Sequence, residues 1–104
     1  MDTEQLVIVA HWKVKPQHLE TVLEFLEELV TKSRAESGNL LYQAHQSITD
    51  PNVINLYEVY QNQTAIEVHK NATHFQELVV EKIVPLLEDR SVEIARPLFS
   101  ALTF

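Results

Sequence analysis

Stretches rich in β-branched and aromatic residues, which are typical of strands, occur at four places along the chain. The strands are predicted at Leu6–Val14, Leu40–Ile48, Val53–Tyr60 and Ser91–Phe99. The short turn Thr49–Asn52 separates the second strand from the third, so these two strands should form an antiparallel hairpin. Pro97 has no backbone N–H, and the last strand is therefore expected to end near it or to run along a sheet edge.

Between the first two strands, hydrophobic residues recur at helical spacing from Leu19 to Val30, opposite a row of acidic residues. This pattern predicts an amphipathic helix of about five turns. Pro16 is expected in its first turn, where a missing N–H loses no helical hydrogen bond. Gly38 is expected to follow the helix in a left-handed conformation.

Two helical pieces are predicted after the third strand. Asn62 is expected to cap a short helix that carries His69, because its side chain can accept from a free backbone N–H. The segment Thr73–Gln76 has the spacing of a capping box, which predicts the start of a second piece. Pro85 should kink or end that piece, since proline disrupts a helix interior.

The predicted order of elements is β-α-β-β-α-β, which is the ferredoxin-like arrangement of the α+β class. It places four antiparallel strands in one sheet with both helices on one face. The 104 residues form a single domain, residues 1–104, with a core at about residues 5–99. The other sheet face carries Val7, Val9, Tyr57 and Val59 without cover. We therefore predict a homodimer in which two sheets pack face to face.

The composition excludes several function classes. A net charge of −7 makes nucleic acid a poor partner, and the single glycine excludes Gly-rich phosphate loops. The absence of cysteine excludes thiol catalysis and zinc fingers. No apolar run approaches the roughly 18 residues that span a bilayer, and Met1–Gln5 lack the basic start of a signal peptide. We expect no membrane partner and a cytoplasmic location.

Glu58 is unusual because it shares the expected buried face of the third strand with Leu56 and Tyr60. Burial of a carboxyl group raises its pKa unless a cation or donor meets it. If the helix after this strand folds back, His69 would face Glu58, and such a pair can move protons near neutral pH. In the alternative, structural interpretation, Glu58 pairs with Arg96 or a backbone donor and His69 lies at a helix end.

Other polar and aromatic residues on the strands are weaker indications of a functional site. His11 and His45 could approach each other across the sheet, but no histidine pair has the spacing of a zinc motif, so no metal ligand is predicted. Several aromatic residues could line a pocket for a flat organic ligand or could simply pack in the core. They are Trp12, Tyr42, Tyr57, Tyr60 and Phe75.

Three segments resemble the antibiotic biosynthesis monooxygenase domains of the dimeric α+β barrel superfamily. The first segment is Trp12–Pro16, and the second is Glu36–Tyr42, which begins Glu-Ser-Gly. The third runs from Tyr57 to Phe75 and includes Glu58, Tyr60, Ala65, His69 and His74. The resemblance extends over about residues 5–99.

This resemblance implies a dimeric barrel and, as in some members, a monooxygenase without a cofactor that acts on phenols or quinols. In these members the conjugated anion of the substrate reacts with oxygen. By carry-over, His69 would take a substrate hydroxyl proton or hydrogen-bond the anion, Glu58 would orient His69, and Tyr60 would provide an aromatic wall. Predicted substrate contacts are His11, Trp12, Tyr42 and Phe75.

Other branches of the superfamily leave alternatives open. Some relatives degrade haem with an Asn on the first strand, a Trp and a ligating His. This chain has no Asn between Leu6 and Val14 and has His69 at the Trp position, which disfavours haem. Another branch isomerises phosphorylated signalling metabolites of the autoinducer-2 type, for which the candidate phosphate ligands are Lys13, Lys15, Arg34 and Lys70. A non-catalytic dimeric binding module is the third possibility.

Overall fold

The computed structural model describes residues 4–104. Met1–Thr3, on which the prediction of no signal peptide partly depends, lie outside the described residues. The elements are β1 (Leu6–Val14), α1 (Leu19–Arg34), β2 (Asn39–Gln46), β3 (Val53–Tyr60), α2 (Gln63–Asn71), a π-helix (Phe75–Ile83), a 3₁₀ turn (Val84–Leu86) and β4 (Leu87–Ala95). The predicted order and the ferredoxin-like α+β class are confirmed. None of the helices within residues 4–104 is long and apolar enough to cross a bilayer.

One four-stranded sheet, in the order β2-β3-β1-β4, forms the centre of the domain, and all its pairs are antiparallel. Ala10 on β1 lies opposite Leu56 of β3 on one side and opposite Val92 of β4 on the other, so these residues share a sheet face. The helices pack on this face. The main core includes Ala10, Trp12, Val14, Val22, Leu26, Leu29, Tyr42, Ile54, Leu56, Leu78, Val79 and Ile83.

Two predictions about the ends of α1 were wrong. The helix begins at Leu19 rather than at Pro16, because Gln17 has a φ of 77°, which is outside the helical region. Gly38 does not have a positive φ, and α1 ends at Arg34, followed by Ala35 in a right-handed conformation. Gly38 is needed for a different reason, since a Cβ at this position would overlap the side chain of Ala65 in α2.

The C-terminal half also departs from the prediction. β4 begins at Leu87, four residues before the predicted Ser91, and ends at Ala95 rather than at Phe99. The capping box is not formed, because the Gln76 side chain donates to the carbonyl of Lys70. Pro85 ends the helical segment as expected, inside a 3₁₀ turn that follows the π-helix.

The sheet face opposite the helices is only partly exposed. Val7 and Val59 are buried within the chain, whereas Val9 and Tyr57 remain partly exposed. Near the first pair, the Gln5 side chain exchanges two hydrogen bonds, of 3.1 and 2.8 Å, with the backbone of Leu102. Gln5 is two residues before Val7, so the two side chains point to the same sheet face. The C-terminal segment therefore returns toward this face. The expectation that Val7 and Val59 face water was therefore wrong.

Candidate functional site

A cavity of about 210 Å³ lies between the sheet and the segment formed by α2 and the π-helix. Its lining is mostly apolar, with the polar groups Glu58 and His69 among aromatic and aliphatic side chains, as in many small-molecule sites. The apolar lining consists of Ile8, Ala10, Trp12, Tyr42, Leu56, Phe75, Val79 and Val92.

The helix α2 is held close to the sheet, and this places His69 over the cavity. Asn62 caps α2 by accepting from the Ala65 N–H at 2.9 Å, as predicted. The Gln61 N–H donates to the Gly38 carbonyl at 2.9 Å, and the missing side chain of Gly38 leaves room for Ala65. His69 lies four residues beyond Ala65 on the same helix face, so it is turned toward the sheet.

Both histidines of the third resembling segment donate to Glu36, which lies in the loop after α1. The His69 Nδ1 donates to Glu36 Oε2 at 2.8 Å, and the His74 Nε2 donates to the same oxygen at 2.5 Å. Burial opposes ionisation of Glu36, but the hydrogen bonds from both histidines outweigh it and lower the pKa of this carboxyl below its usual value. Glu36 is therefore an ionised acceptor at neutral pH.

Glu58 is buried on the cavity side of His69. Its Oε1 accepts from the Tyr60 hydroxyl at 2.7 Å and lies 3.7 Å from His69 Nε2. Burial raises the pKa of Glu58, and the hydrogen bond from Tyr60 and the nearby His69 oppose this rise only in part. Burial and the neighbouring Glu58 also raise the pKa of Tyr60, so its hydroxyl stays protonated. Arg96 pairs with Glu4 at 3.2 Å and does not neutralise Glu58.

The structure brings most of the predicted site residues together. His69 and Glu58 line the cavity, and Trp12, Tyr42 and Phe75 form its aromatic walls. The rings of Tyr42 and Phe75 lie 5.8 and 5.1 Å from the His69 ring.

Two predicted site residues lie elsewhere. Tyr60 is fully buried behind Glu58 and is not a wall of the cavity, because the adjacent Glu58 takes the position next to the open space. His11 lies on the opposite sheet face, where its Nδ1 bonds to the Asn55 side chain at 2.9 Å, because successive strand residues point to opposite faces. His11 therefore makes no contact with the cavity.

Two residues, Glu36 and His74, have a chemical role in the site that was not predicted from the sequence. Glu36 appeared only as part of the resembling segment Glu36–Tyr42, and it is Glu36, rather than Glu58, that bonds to the Nδ1 of His69. His74 was treated as part of a helix start, yet its ring reaches the same carboxylate. The Glu-Ser-Gly and His-Phe sequences of the resembling segments were the only available signals.

Two cationic side chains add to the cavity lining. Lys70 follows His69 on α2, and Arg90 lies opposite Trp12 in the pairing of β4 with β1. Both residues are exposed, which places them toward the open end of the cavity. Lys70 was among the candidate phosphate ligands, whereas Arg90 was not considered.

The fold and the site define a ferredoxin-like α+β domain with an imidazole and two carboxyl groups beside an apolar cavity. The sequence profile of the antibiotic biosynthesis monooxygenases matches residues 5–81. The chain is 33% identical over 76 residues to the Bacillus subtilis protein named "Putative monooxygenase YcnE". This alignment covers 73% of this chain and 80% of that protein. This chain belongs to the antibiotic biosynthesis monooxygenase family, and the family assignment supports monooxygenation as its general activity.

Solved structures agree with this assignment at the level of the fold. The crystal structure of PA3566 from Pseudomonas aeruginosa superposes with a TM-score of 0.86 at 28% identity, over 94% of this chain and 98% of that one. Rv0793 from Mycobacterium tuberculosis superposes with the same TM-score at 22% identity, over 94% and 99% of the two chains. The ferredoxin-like architecture is thus shared over nearly the whole length.

Proposed function

We propose that this protein is a cofactor-independent monooxygenase that acts on a small phenol or quinol, with His69 as the general base. One observation supports the proposal: the Nδ1 of His69 is bonded to Glu36, and its Nε2 lies near Glu58, which lines the cavity with His69. Imidazole titrates close to neutral pH and is therefore suited to accept a hydroxyl proton there.

The bond to Glu36 prepares His69 for this role. An ionised carboxylate can only accept, so the His69 Nδ1 carries the proton and the lone pair of the neutral ring lies on Nε2. The negative charge of Glu36 also stabilises the imidazolium that forms when Nε2 takes a proton. This is the arrangement by which a buried carboxylate supports a histidine base in other enzymes.

Glu58 has a different role in this proposal. Because burial raises its pKa, the carboxyl group holds its proton to a higher pH than an exposed glutamate does. It can then donate a hydrogen bond to a substrate oxygen in the cavity while Tyr60 holds Oε1 in place. Tyr60 is a positioning residue, since it contacts Glu58 and not the cavity.

The cavity walls select the substrate class. Trp12, Tyr42 and Phe75 surround an apolar volume of about 210 Å³, which suits a flat aromatic molecule with a small number of rings. Removal of the hydroxyl proton gives a conjugated anion that supplies the electrons for oxygen reduction. The O–O bond breaks as one oxygen atom forms a new C–O bond to the substrate. The other oxygen atom leaves as water with the two hydrogens that the substrate loses on oxidation to a quinone, so no added reductant is needed.

Oxygen uptake tests the proposal. The purified protein, treated with a chelator, is mixed with a naphthol or a quinol, and the spontaneous rate is subtracted. We expect enzyme-dependent uptake, and we expect His69→Ala to lower kcat by about a hundredfold or more. His11→Ala is the matched control, because His11 lies on the opposite sheet face, and it should retain the native rate. No uptake above the spontaneous rate, or an unchanged rate in His69→Ala, would contradict the proposal.

A second candidate is an isomerase for a small phosphorylated metabolite. It is favoured by Lys70 and Arg90, two cationic groups that line the cavity and could bind a phosphate. An isomerase would turn over equally well without oxygen and would lose activity in Arg90→Ala. The monooxygenase would stop under anaerobic conditions, so one experiment separates the two candidates.

We also propose that the protein is a homodimer joined through the helix-free sheet face. Val9 and Tyr57 expose apolar surface there, and three further apolar side chains of the C-terminal segment are exposed: Leu98, Phe99 and Phe104. A second copy related by a two-fold axis would cover these groups on both chains at once. The cytoplasmic location and the exclusion of nucleic acid stay predictions from composition.

A further inference from the structure

Three potential metal-ligating atoms converge behind the cavity. They are Glu36 Oε2, His69 Nδ1 and His74 Nε2, and all three lie within 4.8 Å of one another. Each comes from a different segment: the loop after α1, the last turn of α2 and the start of the π-helix. The extended backbone at Ala72, with ψ of 145°, turns the chain between the two histidines so that both rings face Glu36.

The donor set has a defined chemistry. Two imidazole nitrogens and one carboxylate oxygen bind zinc in many protein sites and leave a fourth position for water. Hard cations such as Mg²⁺ prefer oxygen ligands, so the two imidazoles favour a transition-metal ion. Both ring nitrogens already point at one carboxylate oxygen, at 2.8 and 2.5 Å, so a cation can replace the shared protons with small side-chain movements.

A second, independent observation is the other oxygen of Glu36. The Oε1 atom is buried and has no hydrogen-bond partner among the described residues, while the side chain as a whole is only 9% exposed. A buried carboxylate oxygen without a partner is destabilising, and a cation bound by both carboxylate oxygens of Glu36 would remove this cost. A more open cavity is lined by Glu36, Gly38 and Asn62.

We propose that Glu36, His69 and His74 form a binding site for a divalent transition-metal ion, with Zn²⁺ as the best match to the donor set. Metal binding requires the lone pairs of His69 Nδ1 and His74 Nε2, so in each neutral ring the proton moves to the other nitrogen.

A zinc ion bound at this site would also change the chemistry of the cavity. This inference rests on the proposed function. A neutral imidazole that binds a metal through Nδ1 carries its proton on Nε2 and therefore has no lone pair for a substrate proton. Zinc is thus expected to inhibit a base that acts through His69 Nε2.

Isothermal titration of the chelator-treated full chain with zinc chloride tests the site without any substrate. We expect one ion per chain, because the three ligand atoms converge on one position. His74→Ala and Glu36→Gln should each weaken binding by about tenfold or more. His45→Ala, which removes an exposed histidine from the opposite sheet face, is the control and should bind zinc as the native chain does.

Circular dichroism establishes that each variant is folded before titration, and His74→Gln serves as a second variant if His74→Ala is unstable. Absence of stoichiometric binding, or native affinity in the folded His74 variant, would overturn the metal site. An equal loss in His45→Ala would show that zinc binds surface histidines and would also overturn it. A failed oxygen-uptake test leaves these titrations interpretable, so the two proposals fail independently.

Discussion

Glu36 Oε2 accepts a hydrogen bond from His69 Nδ1 over 2.8 Å, and the other ring nitrogen of His69, Nε2, lies 3.7 Å from Glu58 Oε1. Glu36→Gln removes the negative charge that stabilises the imidazolium. We expect kcat for the aromatic substrate to fall by about tenfold or more, with little change in KM because Glu36 does not line the substrate cavity.

Steady-state oxygen uptake measures both constants, and Glu67→Gln, an exposed glutamate on α2, is the control. Nitrogen-15 NMR of the ring provides a second readout, since the native chain should carry the proton of neutral His69 on Nδ1. A native rate in Glu36→Gln, or a proton on Nε2 in the native chain, would argue against this role.

Glu58 should make stability depend on pH. Because burial raises its pKa in the folded state, the folded chain holds this proton more tightly than the unfolded chain does. Its contribution to the free energy of unfolding is therefore fully present below the usual carboxyl pKa and is lost as pH rises through the raised value.

Glu58→Gln cannot ionise and keeps an oxygen that accepts from Tyr60. Urea unfolding between about pH 5 and about pH 8 should show that the variant gains stability relative to the native chain as pH rises. Glu93→Gln changes an exposed carboxylate and should follow the native curve. Parallel curves for the native chain and Glu58→Gln would show that Glu58 is ionised throughout this range.

The helix-free sheet face should hold two chains together. Val9→Glu places a charge on this face, and we expect it to shift the protein from dimer to monomer at micromolar concentration. Val80→Glu is a matched control, because Val80 is 46% exposed and Val9 44% exposed, but Val80 lies on the π-helix. Analytical ultracentrifugation of the three proteins reports the mass directly. A native chain that sediments as a 12.0 kDa monomer would refute the dimer.

The cavity should open beside the edge strand β4, where Val92 is exposed and also lines the cavity. Val92→Trp should narrow the opening and raise KM for a naphthol by about tenfold or more, since the indole ring fills space that the substrate would otherwise occupy. Ile94→Trp, two residues along the same strand face, lies outside the cavity lining and serves as the control. Equal KM values in the two tryptophan variants would mean that substrate enters elsewhere.

The close approach of Gly38 to Ala65 should make any side chain at position 38 destabilising. Gly38→Ala adds a Cβ that overlaps the Ala65 side chain, and overpacking of this kind lowers the free energy of unfolding by about 1–3 kcal/mol. Ala65→Gly removes the opposing methyl group, so the double variant should lose less stability than the two single variants together. Additive losses in urea unfolding would indicate that the two side chains do not interact.

The sequence was informative where a pattern repeats locally. Strands β1 and β3 were predicted with correct bounds because their β-branched and aromatic residues are continuous. The start of β4 was missed because Glu88, Asp89 and Arg90 are exposed on an edge strand, where no hydrophobic alternation is required. A helical piece was predicted at the position of the π-helix, but its π-type hydrogen bonding was not, since that pairing depends on packing and not on a residue pattern.

The candidate site was predictable only in part for a similar reason. Glu58 stood out because a carboxylate on a buried strand face breaks a local pattern, and the helix spacing turned His69 toward it. Glu36 lies in a loop, and only the packing of α2 against β3 and the π-helix brings His69 and His74 to its carboxylate. A contact between residues 33 positions apart is a property of the folded chain and has no local pattern.

The pair of hydrogen bonds between Gln5 and Leu102 brings the first and last described segments side by side. A short peptide could join these segments, and new ends could be made at the exposed hairpin turn between β2 and β3. Such a circular permutant would change the order of synthesis while Glu36, Glu58 and His69 kept their positions. The architecture around the cavity thus depends on which strands are neighbours and not on where the polypeptide starts.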